Sequence, residues 1–198
     1  MQKTPIAIFV SGRGSNAKAI IEQQNNLGFQ VDLLVVSSAK AKAIDIAIEN
    51  HIDYIVLDKE QFLNTNAIVN TLTQYNIELI ILAGFLWKIP SYLINAFPQK
   101  ILNIHPSLLP KYGGKGMYGM HIHKAVYQNK EKETGITIHL VNEHYDDGKI
   151  LFQKAVEINK EDTPETIAEK VLKLEHKSFA PTIEKYLKTK MRIVAQNL

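Results

Sequence analysis

Three groups of polar residues in this sequence could do chemistry. The first, Ser11-Gly12-Arg13-Gly14-Ser15-Asn16, follows a short β-branched run and opens a helix-length segment. In that position glycines let the main chain approach an anion, and the open N–H groups and dipole of a helix start stabilise negative charge. A phosphate is the guest such a loop fits. A bare tight turn is the plain alternative, but Ser15 and Asn16 add donors that a bare turn does not need. Read on to Ala17, the segment also matches G-x-G-x-x-A, the opening of a dinucleotide fingerprint. That fingerprint calls for an acidic residue at the end of the second strand, where Ser37-Ser38 stands instead. A reductase would have to use Ser37, Ser38 and Lys40 around a 2′-phosphate, and this reading is disfavoured.

The second group is Asn103-Ile104-His105-Pro106. Side chains alternate along a strand, so Asn103 and His105 project to one side while Leu102 and Ile104 enter the core. Pro106 cannot donate to a ladder and ends the strand at its carboxyl edge, where open α/β sheets bind ligands. The third group is Tyr145-Asp146-Asp147-Gly148. It reads either as an ordinary hairpin turn or as a carboxylate delivered to the Asn/His pair to orient the imidazole, raise its pKa and relay a proton. A metal reading of His121-x-His123 with His139 and His144 is weak, because residues two apart do not share a helix face. No metal is expected. His139, among alternating apolar residues, is placed in the core or directly behind the site. Leu86-Trp87-Lys88-Ile89 is either core or the lining of an aromatic slot, and Glu175-His176 sits on a helix whose default is a solvated face.

The elements that must position these residues alternate. Ile6–Val10, Val31–Val36, Tyr54–Leu57, Leu79–Ala83 and Ile101–Ile104 read as strands, with helices over 16–26, 41–50 and 60–75 between them. Continuous apolar strands alternating with helices predict a parallel sheet covered on both faces. Two further strands, 134–141 and 150–158, flank the polar turn, and Asp162-Thr163-Pro164-Glu165 starts a helix to about Lys188. The chain has 198 residues, 45% hydrophobic, with 23 Lys+Arg against 20 Asp+Glu for a net charge of +3. That describes one globular domain and argues against nucleic-acid binding, which wants a concentrated basic stripe. Zero Cys excludes disulfides, thiolate nucleophiles and Cys-ligated zinc. The longest apolar stretch, Leu79–Trp87, falls short of the ~18 residues a membrane span needs, and the apolar run Ile6–Val10 is too short for the core of a secretion signal, so no export is expected. A cytoplasmic location is expected.

In order along nearly the whole chain, Ser-Gly-x-Gly-Ser-Asn at 11–16, Leu-Ala-Gly-Phe at 82–85, Asn-Ile-His-Pro-Ser-Leu-Leu-Pro at 103–110 and the Asp-x-Gly turn at 146–148 resemble the phosphoribosylglycinamide formyltransferases, a folate-dependent family of purine synthesis. The 103–110 segment marks the wider group of 10-formyltetrahydrofolate users, and the phosphate loop and chain length select this branch. The resemblance implies a Rossmann-like α/β fold with an antiparallel C-terminal extension. It implies a single domain over 1–198, with residues 1–100 serving the ribonucleotide phosphate and 101–198 serving catalysis and folate. Carried over by motif, Asn103, His105 and Asp146 resemble the catalytic trio, with His105 as an imidazolium. Asp146 is chosen over Asp147 because the family spaces its aspartate two residues before Gly148. Gly12, Gly14, Ser15 and Asn16 resemble the phosphate cradle, Glu175 the glutamate that meets the glycinamide amine, and Leu86, Trp87, Lys88 and Ile89 the segment that, with Asn103, holds the folate. The implied partners are 5-phosphoribosylglycinamide and 10-formyltetrahydrofolate as co-substrate, with neither metal, nucleic acid nor membrane, and a monomer or homodimer as the assembly. The alternatives are a formyl transferase with an amino-sugar nucleotide acceptor, a hydrolase, or a non-catalytic phosphate sensor. The sequence departs from the family pattern in carrying Leu-Trp-Lys-Ile for Met-Arg-Ile-Leu, in lacking an arginine near 61–64, and in a longer loop over 113–120.

Overall fold

Ile6, Ile8 and Val10 face one side of the first strand and Ala7 and Phe9 the other, and all five are buried. A strand apolar on both faces belongs in the middle of a covered sheet. The computed structural model, which describes residues 3–196, places it there. Strands β1 (Thr4–Val10), β2 (Phe29–Val36), β3 (Asp53–Val56), β4 (Leu79–Leu82) and β5 (Ile101–His105) pair in parallel. Strands β6 (Glu133–Leu140) and β7 (Ile150–Glu157) extend the sheet antiparallel, giving the order β3-β2-β1-β4-β5-β6-β7. The expected α/β class, mostly parallel sheet and antiparallel extension are all present.

Helices α1 (Ser15–Gln23), α2 (Ala43–Glu49) and α7 (Pro164–Gln196) pack on the face of Ile6 and Ile8. Helices α3 (Lys59–Asn64), α4 (Ala67–Gln74) and α5 (Ser91–Ala96) cover the face of Ala7 and Phe9. Helix α6 (Met120–Gln128) lies against α7. The strand order reverses at β1, so the loops leaving β1 and β4 diverge to opposite faces and open a crevice between them. In open α/β sheets that switch point is where ligands sit.

The single helix expected over 60–75 is two. Thr65 is extended at φ −133°, and its hydroxyl donates to the Gln61 carbonyl and accepts from the Ala67 N–H. These local bonds end α3 and start α4. Helix α7 continues past Lys188 to Gln196, and its start follows expectation, with the Thr166 N–H donating to the Thr163 hydroxyl at 3.3 Å. Among the described residues no helix is long and apolar enough to cross a membrane.

Candidate active site

Ser11, the first residue after β1, ties the crevice together. Its N–H donates to the Gly84 carbonyl, and its hydroxyl oxygen accepts from the Leu86 N–H at 2.9 Å and the Ser37 hydroxyl at 2.8 Å. Ser37 is thereby an internal strut, which removes the 2′-phosphate role weighed for it. Gly14 caps α1 at φ +75°, a left-handed conformation, and a Cβ there would lie 2.8 Å from the Ala43 Cβ. Only glycine fits both demands. No side chain caps α1, so its first N–H groups are left for a ligand in the cleft. Asn16, on the first turn, reaches instead across to α7, where its Nδ2 donates to Glu175 Oε2 at 3.0 Å. Glu175 is buried rather than solvated, and burial pushes its carboxyl up to about 7 against the lowering effect of that hydrogen bond.

On the opposite wall β5 holds Asn103 and His105 on one side, with Leu102 and Ile104 in the core as alternation requires. The β6–β7 turn delivers Asp146 to them. Its Oδ1 lies 3.4 Å from His105 Nδ1, 3.5 Å from Asn103 Nδ2 and 3.7 Å from His139 Nε2. Asp147 is exposed, and it is Asp146 that the turn brings to the pair. Asp146 itself is left-handed at φ +53°, and a Cβ on Gly148 would fall 1.6 Å from the Leu140 carbonyl oxygen. The turn therefore needs glycine at 148 in order to present Asp146.

Carbonyl partners define the ring tautomers, because a carbonyl oxygen can only accept. His105 Nε2 donates to the Tyr112 carbonyl at 2.8 Å, which leaves Nδ1 facing Asp146. His139 Nδ1 donates to the Leu140 carbonyl at 2.8 Å, so its Nε2 accepts from Asn103 Nδ2 at 3.0 Å. His139 thus orients Asn103 from behind. Burial pushes Asp146 up, but the contacts of His139, His105 and the Gly114 N–H outweigh it and hold the carboxyl below its ordinary value. Burial also holds His105 below the ordinary histidine value despite the opposing charge of Asp146.

Both walls line one cleft of about 730 Å³, together with Gly12, Ser15, Leu86, Trp87, Lys88 and Ile89. The 86–89 segment plays mixed parts. Leu86 is exposed with its N–H spent on Ser11, while Ile89 is buried. The Trp87 ring sits 5.8 Å from both Phe62 and Phe85, so it forms the wall between cleft and core. Lys88 Nζ lies 5.6 Å from the Tyr145 ring and bridges the two rims of the cleft. His121 is exposed against Tyr118, whereas His123 is buried at the cleft, where burial pushes it down to about 4. Sequence reasoning assigned no role in the site to Ser11, Tyr112 or Gly114, and weighed His123 only as a metal ligand. Tyr112 and Gly114 act through the main chain and leave no signature, but Ser11 stood within the loop already singled out.

The Formyl transferase family matches residues 4–183. The chain belongs to that family. A chloroplastic phosphoribosylglycinamide formyltransferase of Arabidopsis thaliana is 41% identical over 189 residues, covering 92% of this chain and 65% of the plant protein. The chain thus spans just under two thirds of that relative. The phosphoribosylglycinamide formyltransferase of Bacillus subtilis (strain 168) is 38% identical over 91% of this chain and 93% of its own length. The crystal structure of phosphoribosylglycinamide formyltransferase from Bacillus halodurans superposes with a TM-score of 0.85 at 35% identity, covering 93% of this chain and 95% of that one. The present chain shares that fold across most of its length.

Proposed function

We propose that this formyl transferase moves the formyl group of 10-formyltetrahydrofolate to the amine of 5-phosphoribosylglycinamide. The observation that carries the reading is that one cleft joins an uncapped, glycine-bounded helix start to a carboxylate that has an imidazole at 3.4 Å and a carboxamide at 3.5 Å. In this reading Gly12, Gly14, Ser15 and Asn16 cradle the ribonucleotide phosphate. Glu175 accepts from the glycinamide amine, and the 86–89 segment with Asn103 receives the folate. The division of the chain near residue 100 is then loose, since 86–89 and Glu175 each serve the other half's substrate. Both partners are small molecules, the location is cytoplasmic, and the assembly is a monomer or homodimer.

The amine nitrogen attacks the formyl carbon, and the carbonyl electrons move onto oxygen. Asn103 meets that oxyanion by exchanging its long 3.5 Å contact to Asp146 for the new acceptor, while its 3.0 Å bond to His139 holds the amide in place. The proton leaving the amine passes by way of Asp146 or a water to His105 Nδ1. This creates the imidazolium beside the oxyanion at the moment charge develops. As the carbon–nitrogen bond to folate breaks, the same proton goes to the leaving nitrogen. Preorganised donors of this kind are worth about 10²–10³ in rate and positioned proton transfer about 10²–10⁴.

A spectrophotometric assay with 10-formyltetrahydrofolate tests the reading. Formyl loss with 5-phosphoribosylglycinamide alone is the expected result. Loss without an acceptor would make the chain a hydrolase, loss with an amino-sugar nucleotide would change the acceptor, and no turnover at all would favour the phosphate sensor.

A further inference from the structure

We infer that Ser11 is a positioning residue that couples two parts of the cleft, so that an anion at the start of α1 and a ligand on the 86–89 segment bind more tightly together than apart. Ser11 grips the loop after β4 at two points. Its N–H donates to the Gly84 carbonyl at 3.1 Å, and its hydroxyl oxygen accepts from the Leu86 N–H at 2.9 Å. On its other side it runs directly into the 12–14 loop, where the Gly12 carbonyl accepts from the Ala43 N–H at 3.2 Å. A third arm reaches the end of β2. There the Ser37 hydroxyl donates to Ser11 at 2.8 Å, and the Ser37 N–H donates to the Val10 carbonyl at 3.2 Å. Ser11 is thus the point where the loops leaving β1, β2 and β4 meet.

Freedom on either side of this junction turns it into a coupler. Gly14 and Gly84 both stand at φ +75°, and a Cβ on Gly12 or Gly84 would meet nothing within 4 Å. Glycine lets each loop move, so the bonds of Ser11 are what tie the position of one loop to that of the other. An anion that draws on the open N–H groups at the start of α1 settles the 12–14 loop. Through Ser11 it also settles Leu86 and the segment that follows. The second ligand then meets a segment already ordered and gives up less freedom on binding. By linkage the effect is equal in both directions. That the two ligands are the ribonucleotide and the folate rests on the proposed reaction, whereas the hydrogen-bonded junction does not.

The test uses tetrahydrofolate and inorganic phosphate, which lacks the arm that would bring the ribonucleotide up against the folate. Calorimetry gives the Kd of tetrahydrofolate with and without saturating phosphate, and amide NMR follows Leu86 and Gly14. In the native protein phosphate should tighten tetrahydrofolate about three- to tenfold, the size of one hydrogen bond, and should move the Leu86 amide as well as that of Gly14. In Ser11→Ala each ligand should still bind, but the ratio of the two Kd values should fall to about one, and phosphate should no longer move Leu86. Ser37→Ala, which leaves the Leu86 bond in place, should keep the native ratio. A Ser11→Ala protein that binds both ligands more weakly with the ratio unchanged would make Ser11 merely structural and overturn the inference, as would a native ratio of about one. Should Ser11→Ala fail to fold, Ser11→Cys keeps the shape with a poorer acceptor and carries the same reading. If phosphate does not bind the native protein, the proposed phosphate cradle falls, and the link is read from the other end. Tetrahydrofolate should then move the Gly12 and Gly14 amides in the native protein and not in Ser11→Ala, and native amides that stay still would overturn the inference too.

Discussion

The two walls of the cleft are built from different materials. The wall at the ends of β1 and β4 offers main-chain groups: the uncapped start of α1, a left-handed Gly14 and loops laced together by Ser11. The wall at the end of β5 and the β6–β7 turn offers side chains, three of them titratable, each oriented by a specific partner. The first wall is suited to hold a ligand whose charge does not change. The second is suited to move a proton, because burial and neighbouring charge have shifted His105 and Asp146 away from their ordinary values. The contrast teaches which substitutions each wall tolerates. The main-chain wall is indifferent to most side-chain loss and sensitive to any added Cβ, and the side-chain wall is the reverse.

The contrast breaks most directly at Asp146. Asp146→Asn keeps the shape but loses the charge that draws a proton onto His105 and relays it, so kcat should fall by about 10²–10⁴ while KM for the ribonucleotide stays near its native value. Steady-state kinetics with each substrate varied would read this. A raised KM at normal kcat would assign Asp146 to the binding wall. Asn103→Ala should cost about 10²–10³ in kcat, the loss of one oxyanion donor, and it also strips His139 of its partner. If Asn103→Ala changed only the KM for folate, its place would be in the folate slot rather than at the reacting oxygen.

How much of this the sequence revealed follows the same line. Continuous apolar strands are legible because burial on both faces leaves no room for polar residues, and β1, β2, β4 and β5 stand where expected. The break at Thr65 was hidden because it depends on two hydrogen bonds of one hydroxyl rather than on periodicity. Helix α5 is only six residues long, too short for a 3.6-residue pattern to declare itself. In the site, Asn103, His105, Asp146 and Glu175 were legible as side-chain types at motif spacing. The Tyr112 carbonyl was not, since every residue carries a main-chain carbonyl and only the folded chain decides which one meets the ring.

Glu175 crosses the contrast, since it is a titratable side chain held by the main-chain wall through Asn16. Its folded value of about 7 lies above the ordinary 4.5, so its protonated form is the one folding favours. That stabilisation is complete below pH 4.5 and is lost as the pH rises through 7, a difference of about 3 kcal/mol. Glu175→Gln cannot titrate. Thermal denaturation across pH 4 to 8 should therefore show a flatter profile for the variant and a higher melting temperature than native at pH 8. Parallel profiles for the two proteins would mean that Glu175 ionises freely and lies in contact with water. In the native enzyme kcat/KM should rise with pH through about 7 as Glu175 ionises to receive the amine, and that limb should vanish in the variant.

The smallest of the four effects tests the main-chain wall alone. Gly14→Ala places a Cβ 2.8 Å from the Ala43 Cβ and asks an L-residue to hold φ +75°. The left-handed conformation costs about 1–2 kcal/mol, and relief of the contact would rotate the first turn of α1 away from α2. The N–H groups that meet the phosphate would move with it, while His105 and Asp146, carried by β5 and the β6–β7 turn, would not. KM for the ribonucleotide should rise about tenfold with kcat at saturation nearly native, the mirror image of Asp146→Asn. A drop in kcat at unchanged KM would mean that the start of α1 works on the transition state as well as the ground state, and the two walls would then act as one device.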